Sequence, residues 1–362
     1  MALKRILFIG TILAHLAVKP AAAREIVINA VGDIMLAGSA APTFARLGYD
    51  YPFAVTAAEL KQGDLAVGNL EAPIAVRGDE FTGKRFRFKA APPGAAALKR
   101  AGFSVVTLAN NHIMDYGEPA LLETLHHLDQ NGILHPGAGR DLTSARQQAL
   151  IQVKGARIAF LAYSLTLPKE FYAARGRAGT APGYQAYFKA DIARAKATAD
   201  YVVVSFHWGT EGAASPRPYQ VAAAHAAVDA GADVVLGHHP HVLQGIERYK
   251  KGVILYSLGN FAFGSLSRSA SRSAIARITL DGEVTGVELV PLNVCNSEVR
   301  FQPRPLKGKE GEAVIARLNR LSSEMGTVIT REGSCFRVRM GRDYQMAAQR
   351  KGDGYVPAIR GD

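Results

Sequence analysis

The sequence places three histidines within four residues, in the run Gly-His-His-Pro-His at residues 237–241. The run follows the apolar segment 233–236, which is typical of a short buried strand. Side chains just beyond such a strand lie at the carboxyl edge of a sheet, where open α/β folds bind their ligands. Imidazole is a common metal ligand, so the run predicts a metal site, with a solvated histidine-rich loop as the alternative.

Four other predicted strands also end in polar side chains. These side chains are Asp33; Asn69 and Glu71; Asn111, His112 and Asp115; and His207 with Glu211. Because the ends of parallel strands lie side by side, residues far apart in the sequence would meet in one pocket. The need to pack an apolar core does not explain why five predicted strands end in polar side chains.

The combination of carboxylate and imidazole favours Mn, Fe or Zn over Ca or Mg. The residues that could bind one or two such ions are Asp33, Glu71, Asn111, His207, His239 and His241. Two neighbouring ions would activate a water and stabilise the leaving oxygen of a phosphoester, with His112 as the proton donor. We expect Asp115, Glu211 and His238 to support the ligands rather than bind the ion.

Most of these residues also have a structural interpretation. Asp33 could cap a turn, Glu71 could be a loop charge, and Asn111 could occupy a left-handed turn position. His112 could be a core or orienting residue, and His207 could pack against the adjacent Trp208.

Apolar segments alternate with helical patterns along the chain. The predicted strands are 25–31, 64–68, 103–108, 157–163, 201–206, 233–236 and 252–257, and the predicted helices are 93–101, 118–131, 189–198, 218–230 and 310–324. This alternation predicts an α/β fold with a largely parallel sheet. Segments 277–280 and 284–291, separated by Asp281-Gly282, predict a β-hairpin.

The N-terminus has the three parts of a secretory signal peptide. Lys4 and Arg5 precede an apolar run at 6–18, and small residues follow at 21–23. We therefore expect residues 1–23 to be removed and the protein to be exported to the periplasm or cell surface, with retention as a membrane anchor as the alternative. In that oxidising compartment Cys295 and Cys335 could pair.

The chain has 362 residues and a formal net charge of +12. That length accommodates one large α/β domain, with or without a smaller appendage. An exported basic protein meets anionic polymers, anionic lipids or phosphorylated substrates, and we expect no nucleic-acid partner.

Several strand-end motifs, in one order, resemble those of the CapA family of poly-γ-glutamate capsule biosynthesis proteins. The motifs are Gly32-Asp33-Ile34-Met35-Leu36, Asn69-Leu70-Glu71-Ala72-Pro73, the segment 108–117, Gly137-Ala138-Gly139, His207-Trp208-Gly209-Thr210-Glu211, the segment 231–247 and the segment 256–261. The resemblance covers roughly residues 25–292 and is specific because the motifs are long.

The CapA family looks like a branch of the calcineurin-like metallophosphoesterases. The resemblance therefore implies a four-layer αββα sandwich with mixed sheets at 24–294, followed by a C-terminal extension at 295–362. It also implies a di-metal-type site in which Asn111, His207, His239 and His241 are ligands and His112 is the general acid.

Two positions depart from the wider phosphoesterase pattern. Met35 stands where that pattern has a histidine, and Asn69 stands where it has a bridging aspartate that binds metal. Asn69 is expected to keep the ligand position, but it brings no negative charge, so Glu71 is expected to supply the missing carboxylate. The departures weaken one metal site, and a single-ion enzyme fits the sequence as well as a two-ion enzyme.

The resemblance implies a metal-dependent hydrolase or transferase in poly-γ-glutamate synthesis or export. Lys84, Arg85 and Arg87 lie in a basic loop that would suit the anionic polymer. The alternatives are a non-catalytic component that binds the polymer or a membrane synthase, and a general phosphodiesterase.

Overall fold

The computed structural model describes residues 25–339. The strands are β1 (Ile26–Met35), β2 (Leu65–Leu70), β3 (Phe103–Thr107), β4 (Ala138–Gly139), β5 (Ala149–Val153), β6 (Ala156–Ser164), β7 (Gly179–Thr180), β8 (Tyr201–His207), β9 (Val234–His238), β10 (Ile246–Tyr249), β11 (Gly252–Leu255), β12 (Asn260–Phe263), β13 (Arg272–Asp281), β14 (Glu283–Asn293), β15 (Arg304–Pro305), β16 (Ile329–Glu332) and β17 (Cys335–Val338).

The α-helices are α1 (Ala41–Leu47), α2 (Ala57–Leu60), α3 (Pro93–Ala101), α4 (Gly117–Gln130), α5 (Leu142–Ala145), α6 (Gln185–Lys196), α7 (Pro218–Asp229), α8 (Asn296–Val299) and α9 (Gly308–Ser323). Short 3-10 helices cover Gly38–Ala40, Tyr51–Phe53 and Lys169–Phe171. The helices predicted at 93–101, 118–131, 218–230 and 310–324 are confirmed to within a few residues, and α6 begins four residues before its predicted start.

Two mixed sheets form the centre of the molecule. The first sheet has the order β16-β17-β14-β13-β1-β2-β3, with β12 beside β1 and β15 beside β14. The second has the order β10-β11-β9-β8-β6-β5. Strands β1, β2 and β3 are parallel to one another, as are β6, β8, β9 and β11.

The sheets face each other across an apolar core because strand side chains alternate between two faces. Ile28 and Val67 of the first sheet share this core with Val203 of the second. On the outer faces, α3 and α4 cover the first sheet, while α6 and α7 cover the second. The αββα sandwich is confirmed.

The alternation of elements predicted a largely parallel sheet, whereas both sheets are mixed, as the family resemblance implied. The predicted hairpin exists as β13 and β14, but it pairs antiparallel with β1 and so makes the first sheet mixed. The segment after Val294 continues this sheet, since β17 pairs with β14. Cys295 and Cys335 are both free thiols, so the pairing that the sequence permits is not formed.

Several strands run further than predicted and contain the polar residues that were expected beyond their ends. Strand β1 pairs with β13 as far as Ala30 and then with β12 at Asp33, opposite Asn260. Beyond Gly32, β1 therefore pairs both with β2 and with β12, a strand from far along the chain. Asn69, His207 and His238 likewise belong to strands β2, β8 and β9.

The predicted signal peptide at 1–23 and the tail beyond residue 339 lie outside the described residues. Within 25–339, no helix combines the length and the apolar character needed to cross a bilayer.

Gly32 allows the close approach that places Asp33. A Cβ atom at Gly32 would lie 1.8 Å from the carbonyl oxygen of Gly259. The next residue, Asp33, donates its backbone N–H to that same oxygen at 2.9 Å. Only glycine fits here without moving the backbone that carries Asp33.

We predict that Gly32→Ala lowers the free energy of unfolding by about 3 kcal/mol, because its methyl group meets backbone that cannot yield locally. The matched control is Gly286→Ala in β14, where a Cβ would meet its nearest neighbour at an ordinary 3.6 Å. Urea denaturation of the two variants measures the difference. Equal stability of the two variants would contradict this account of Gly32.

Candidate metal centre

Asp33 lies where the ends of the two sheets meet. Its Oδ1 accepts a hydrogen bond from Nδ2 of Asn69 at 2.9 Å, and its Oδ2 accepts one from the backbone N–H of His239 at 3.2 Å. Nδ1 of His241 lies 3.1 Å from Oδ2. A single buried carboxylate therefore joins β1 and β2 to the turn that follows β9.

The turn after β9 is held in an uncommon backbone conformation. His239 has φ 95° and His241 has φ 60°, in the left-handed region that residues other than glycine seldom adopt. Conformations of this kind persist where surrounding contacts hold them, and they cluster at functional sites. Here they turn both imidazoles toward the carboxylates, with the ring centroids of His239 and His207 4.8 Å apart.

Glu71 is central to the cluster. Its carboxylate belongs to two groups of candidate ligand atoms, each group within 4.8 Å: one with His207 and His239, and one with Asp33 and His241. A third group joins Glu211 to His239 and His241. The sequence expectation that Glu71 supplies the carboxylate missing at Asn69 thus agrees with its position between two possible ion sites.

The donor atoms in this cluster fit a divalent ion. Oε1 of Glu71 and Nδ1 of His239 are buried and have no hydrogen-bond partner. Buried polar atoms without partners are costly, and a coordinated cation would satisfy both. Mixed imidazole and carboxylate ligands suit Mn, Fe or Zn.

Asn111 and His207 bring further donor atoms to the cluster. Oδ1 of Asn111 lies 2.8 Å from Nε2 of His207, and that same nitrogen lies 3.4 Å from Oε1 of Glu71. Three donor atoms from distant parts of the chain therefore lie close together, and the ligand roles of these residues stay a prediction.

Asn69 is placed differently from the prediction that it binds metal. Its Oδ1 accepts hydrogen bonds from Asn110 at 3.1 Å and Thr107 at 3.4 Å, while its Nδ2 faces the carboxylates of Asp33 and Glu71. The amide oxygen is thus engaged away from the ion site. In this arrangement Asn69 orients two acidic residues instead of binding an ion.

Met35 lies in the apolar core on the helical side of the first sheet, fully buried. His238 is also buried, and its Nδ1 lies 3.2 Å from Oδ1 of Asp33, consistent with a supporting role. Glu211 is exposed and shares a candidate group with His239 and His241, so it is better placed to bind an ion than predicted.

Burial and neighbouring charge shift the pKa values of the two buried carboxylates in opposite directions. Burial, reinforced by the charge of Asp33, raises the pKa of Glu71 well above its usual value. Burial opposes ionisation of Asp33, but hydrogen bonds from His238 and His241 outweigh it and lower its pKa. Asp33 therefore ionises more readily than Glu71, and a bound cation would favour the ionised form of Glu71.

The two histidines of the turn shift in opposite directions. Burial, followed by the charge of His241, lowers the pKa of His239 to about 3. Burial also opposes protonation of His241, but the carboxylates of Glu71 and Asp33 outweigh it and raise its pKa to about 9. His239 is thus neutral at physiological pH, the form in which imidazole binds metal.

His112 is held beside the cluster by two charged residues. Its Nδ1 lies 2.6 Å from Oδ2 of Asp115 and 3.0 Å from Nζ of Lys84, and Lys84 itself donates to Oδ1 of Asp115 at 2.6 Å. Burial lowers the pKa of His112. Because Nδ1 is engaged, Nε2 is the ring nitrogen left for a substrate.

The basic loop contributes Lys84 to this arrangement. The contacts of Lys84 are with buried groups of the protein, whereas the sequence predicted that it binds polymer. The Lys84 side chain is only 14% exposed and pairs with the buried Asp115. Arg87 pairs with Glu80 at 2.9 Å, so Arg85 is the member of the predicted trio that is open to solvent. Lys84 anchors the loop beside His112, and polymer binding by Lys84, Arg85 and Arg87 stays a prediction.

Sequence reasoning missed two residues that position the cluster. Oδ1 of Asn260 lies 2.9 Å from Nδ1 of His241. Oδ1 of Asn110 accepts the backbone N–H groups of His112 and Ile113, which sets the turn that carries His112. Asn260 follows a predicted strand and a glycine, the same pattern that identified Asn69.

The family model described as Bacterial capsule synthesis protein PGA_cap matches residues 27–265. Capsule biosynthesis protein CapA of Bacillus anthracis is 35% identical over 289 residues, covering 77% of this chain and 70% of that protein. PGA biosynthesis protein CapA of Bacillus subtilis (strain 168) is 34% identical over 280 residues, covering 76% of this chain and 73% of that protein.

Among solved structures, the NAD nucleotidase NadN of Haemophilus influenzae is similar with a TM-score of 0.48 and 14% identity, over 83% of this chain and 63% of that chain. The calcineurin-like phosphoesterase YfkN of Bacillus subtilis is similar with a TM-score of 0.42 and 14% identity, over 83% of this chain and 97% of that chain. Neither likeness bears on the function of this chain.

We predict that Mn²⁺ at about 100 times its dissociation constant stabilises the protein by roughly 2.7 kcal/mol. Glu71→Gln should remove this stabilisation, because Glu71 belongs to both buried groups of ligands. The matched control is Glu283→Gln on the exposed hairpin turn. Thermal unfolding with and without Mn²⁺ measures the effect. If Mn²⁺ stabilises Glu71→Gln as much as the parent protein, the role of Glu71 in both groups of ligands is refuted.

Proposed function

Because the chain belongs to the bacterial capsule synthesis protein family PGA_cap, we propose that it acts in poly-γ-glutamate capsule biosynthesis as a metal-dependent hydrolase or transferase. Its substrate in this proposal is the γ-linked amide chain of the polymer. The observation that carries the proposal is the position of Glu71, a buried carboxylate shared by two groups of imidazole and carboxylate ligands.

A cleft of about 290 Å3 gives a substrate access to this cluster, and we call it the site cleft. His112 and His241 line it on one side, and Phe88 and Phe263 supply apolar wall. A polymer chain in the site cleft would lie against both the candidate ion site and the proposed proton donor.

A bound divalent ion would polarise the carbonyl of the scissile amide and lower the pKa of a bound water. The residues of the chain supply the remaining functions. Asp115 and Lys84 hold the His112 ring through Nδ1. The oxygen of a water, or the nucleophile of an acceptor, bonds to the carbonyl carbon, and Nε2 of His112 is then available to give a proton to the departing amine nitrogen as the carbon–nitrogen bond breaks. Asn111 and His207 would hold the ion, and Asn69 keeps the two carboxylates in register.

We also propose that the protein is exported, on the basis of the charged, apolar and small-residue segments at 4–23. Intact-mass analysis of the protein recovered from its host tests this directly. A chain starting at about Arg24 supports export, and a cytosolic chain that retains Met1 contradicts it.

We predict that the Mn²⁺-loaded protein cleaves or transfers γ-linked glutamate oligomers and that His112→Ala slows this turnover by about 100-fold, the usual contribution of a positioned acid. The matched control is His126→Ala, an exposed histidine on α4. Mass spectrometry of the reaction products measures turnover.

Three results would each contradict the proposal. Full activity of His112→Ala would remove its role as proton donor. A metal-loaded protein that binds the polymer without turnover would favour a non-catalytic component. Turnover of simple phosphodiesters without any cleavage or transfer of the polymer would favour a general phosphodiesterase.

A further inference from the structure

A second cleft adjoins the site cleft. It has a volume of about 250 Å3, lies against α9, and is called here the outer cleft. The two clefts share Ser269, and the adjacent residues His241 and Val242 line one cleft each. A ligand longer than one unit could therefore extend from the candidate ion site past Ser269 into the outer cleft.

The outer cleft combines an apolar floor with a cationic rim. Val242, Leu243 and Val314 are buried and form the floor. Arg272 and Arg317 line the rim together with one carboxylate. That carboxylate belongs to Glu310, so the residues that line the outer cleft carry one net positive charge, which Glu298, outside the lining and 3.8 Å from Arg272, partly offsets.

Arg272 is held in place before any ligand binds. Its Nη1 donates to the backbone oxygen of Ser271 at 2.9 Å and to Oδ1 of Asn293 at 3.0 Å, and it lies 3.8 Å from Glu298. A fixed guanidinium loses little conformational entropy on binding and presents its remaining donors in the planar fork that matches a carboxylate. Arg317, in contrast, is exposed on α9.

An apolar floor beside two arginines suits the chemistry of a γ-linked glutamate chain. In a γ-linked glutamate chain, the side-chain methylenes lie in the main chain and each unit carries a free α-carboxylate. Methylenes can pack on an apolar floor, while carboxylates spaced along the chain can reach a cationic rim. A single glutamate would fill only one of the two clefts.

We propose that the outer cleft is a subsite for γ-linked glutamate units remote from the reacting bond, with Arg272 and Arg317 binding their α-carboxylates. This inference rests on the proposed function, since it assumes the same polymer. Binding energy gained there would hold the chain in register over the ion site. The subsite also gives the protein a preference for oligomers over free glutamate.

The test measures binding of a fluorescent γ-linked glutamate oligomer to the full chain by anisotropy at low salt. Arg317→Glu should weaken binding by about tenfold, because it replaces an attractive charge with a repulsive one. The matched control is Arg320→Glu, the same change on an exposed residue of α9 outside the cleft. It should change the affinity by less than about twofold.

A second pair of variants tests the cleft without changing charge. Ala313→Trp fills the outer cleft and should also weaken oligomer binding, whereas Ala316→Trp, exposed elsewhere on α9, should not. Both sites are on the surface, so neither change disturbs the core. Binding of free glutamate should be the same in all four variants.

The outcomes separate the subsite from the proposed function. If the parent chain binds the oligomer but Arg317→Glu and Ala313→Trp bind it equally well, the subsite is refuted and the proposed function stands. If the parent chain binds no oligomer, both fail. If polyphosphate shows the same losses as the oligomer, the cleft is a general polyanion surface and its assignment to polyglutamate is overturned.

Discussion

The burial of two carboxylates at the meeting point of two sheets is the constraint on which the rest of the structure depends. Asp33 and Glu71 are both fully buried, and burial together with the charge of Asp33 disfavours ionisation of Glu71. Such a pair persists only where cationic or hydrogen-bonding groups surround it. The histidine turn after β9, the amide of Asn69 and the imidazole of His207 all serve this need. The stability of the frame and the capacity to bind an ion therefore have the same origin.

The same requirement explains why the basic loop turns inward. Asp115 is a third buried carboxylate, and Lys84 comes from a loop without helix or strand to pair with it. Breaking a buried ion pair is costly, so this contact fixes the loop as well as the histidine beside it. The backbone N–H of Phe88 donates to Asp115 at 2.9 Å and brings an aromatic ring against His112. One acidic residue thus positions the proposed proton donor, the loop and a wall of the site cleft.

The antiparallel strands of the first sheet form part of the outer cleft, next to the candidate ion site. Strands β13 and β14 carry Arg272 and its partner Asn293, and α9 packs beside β14 to complete the outer cleft. The segment after Val294, which the motifs do not cover, therefore contributes directly to the surface next to the candidate centre. A polymer-processing role would use both the strand ends that carry the motifs and the C-terminal strands and helix that do not.

The sequence by itself determined the α/β class, most strand and helix positions, and the polar residues that converge. It could do so because the alternation of apolar segments with helical patterns, the apolar runs themselves and the order of the motifs can all be seen directly along the chain. It did not determine that β1 continues past Gly32, because β12, one of the two strands that pair with it there, lies more than 200 residues away. Nor did it show that Lys84 points inward or that the oxygen of Asn69 is already engaged. Those facts depend on partners such as Asp115 and Asn110, which only the tertiary structure brings within hydrogen-bonding distance.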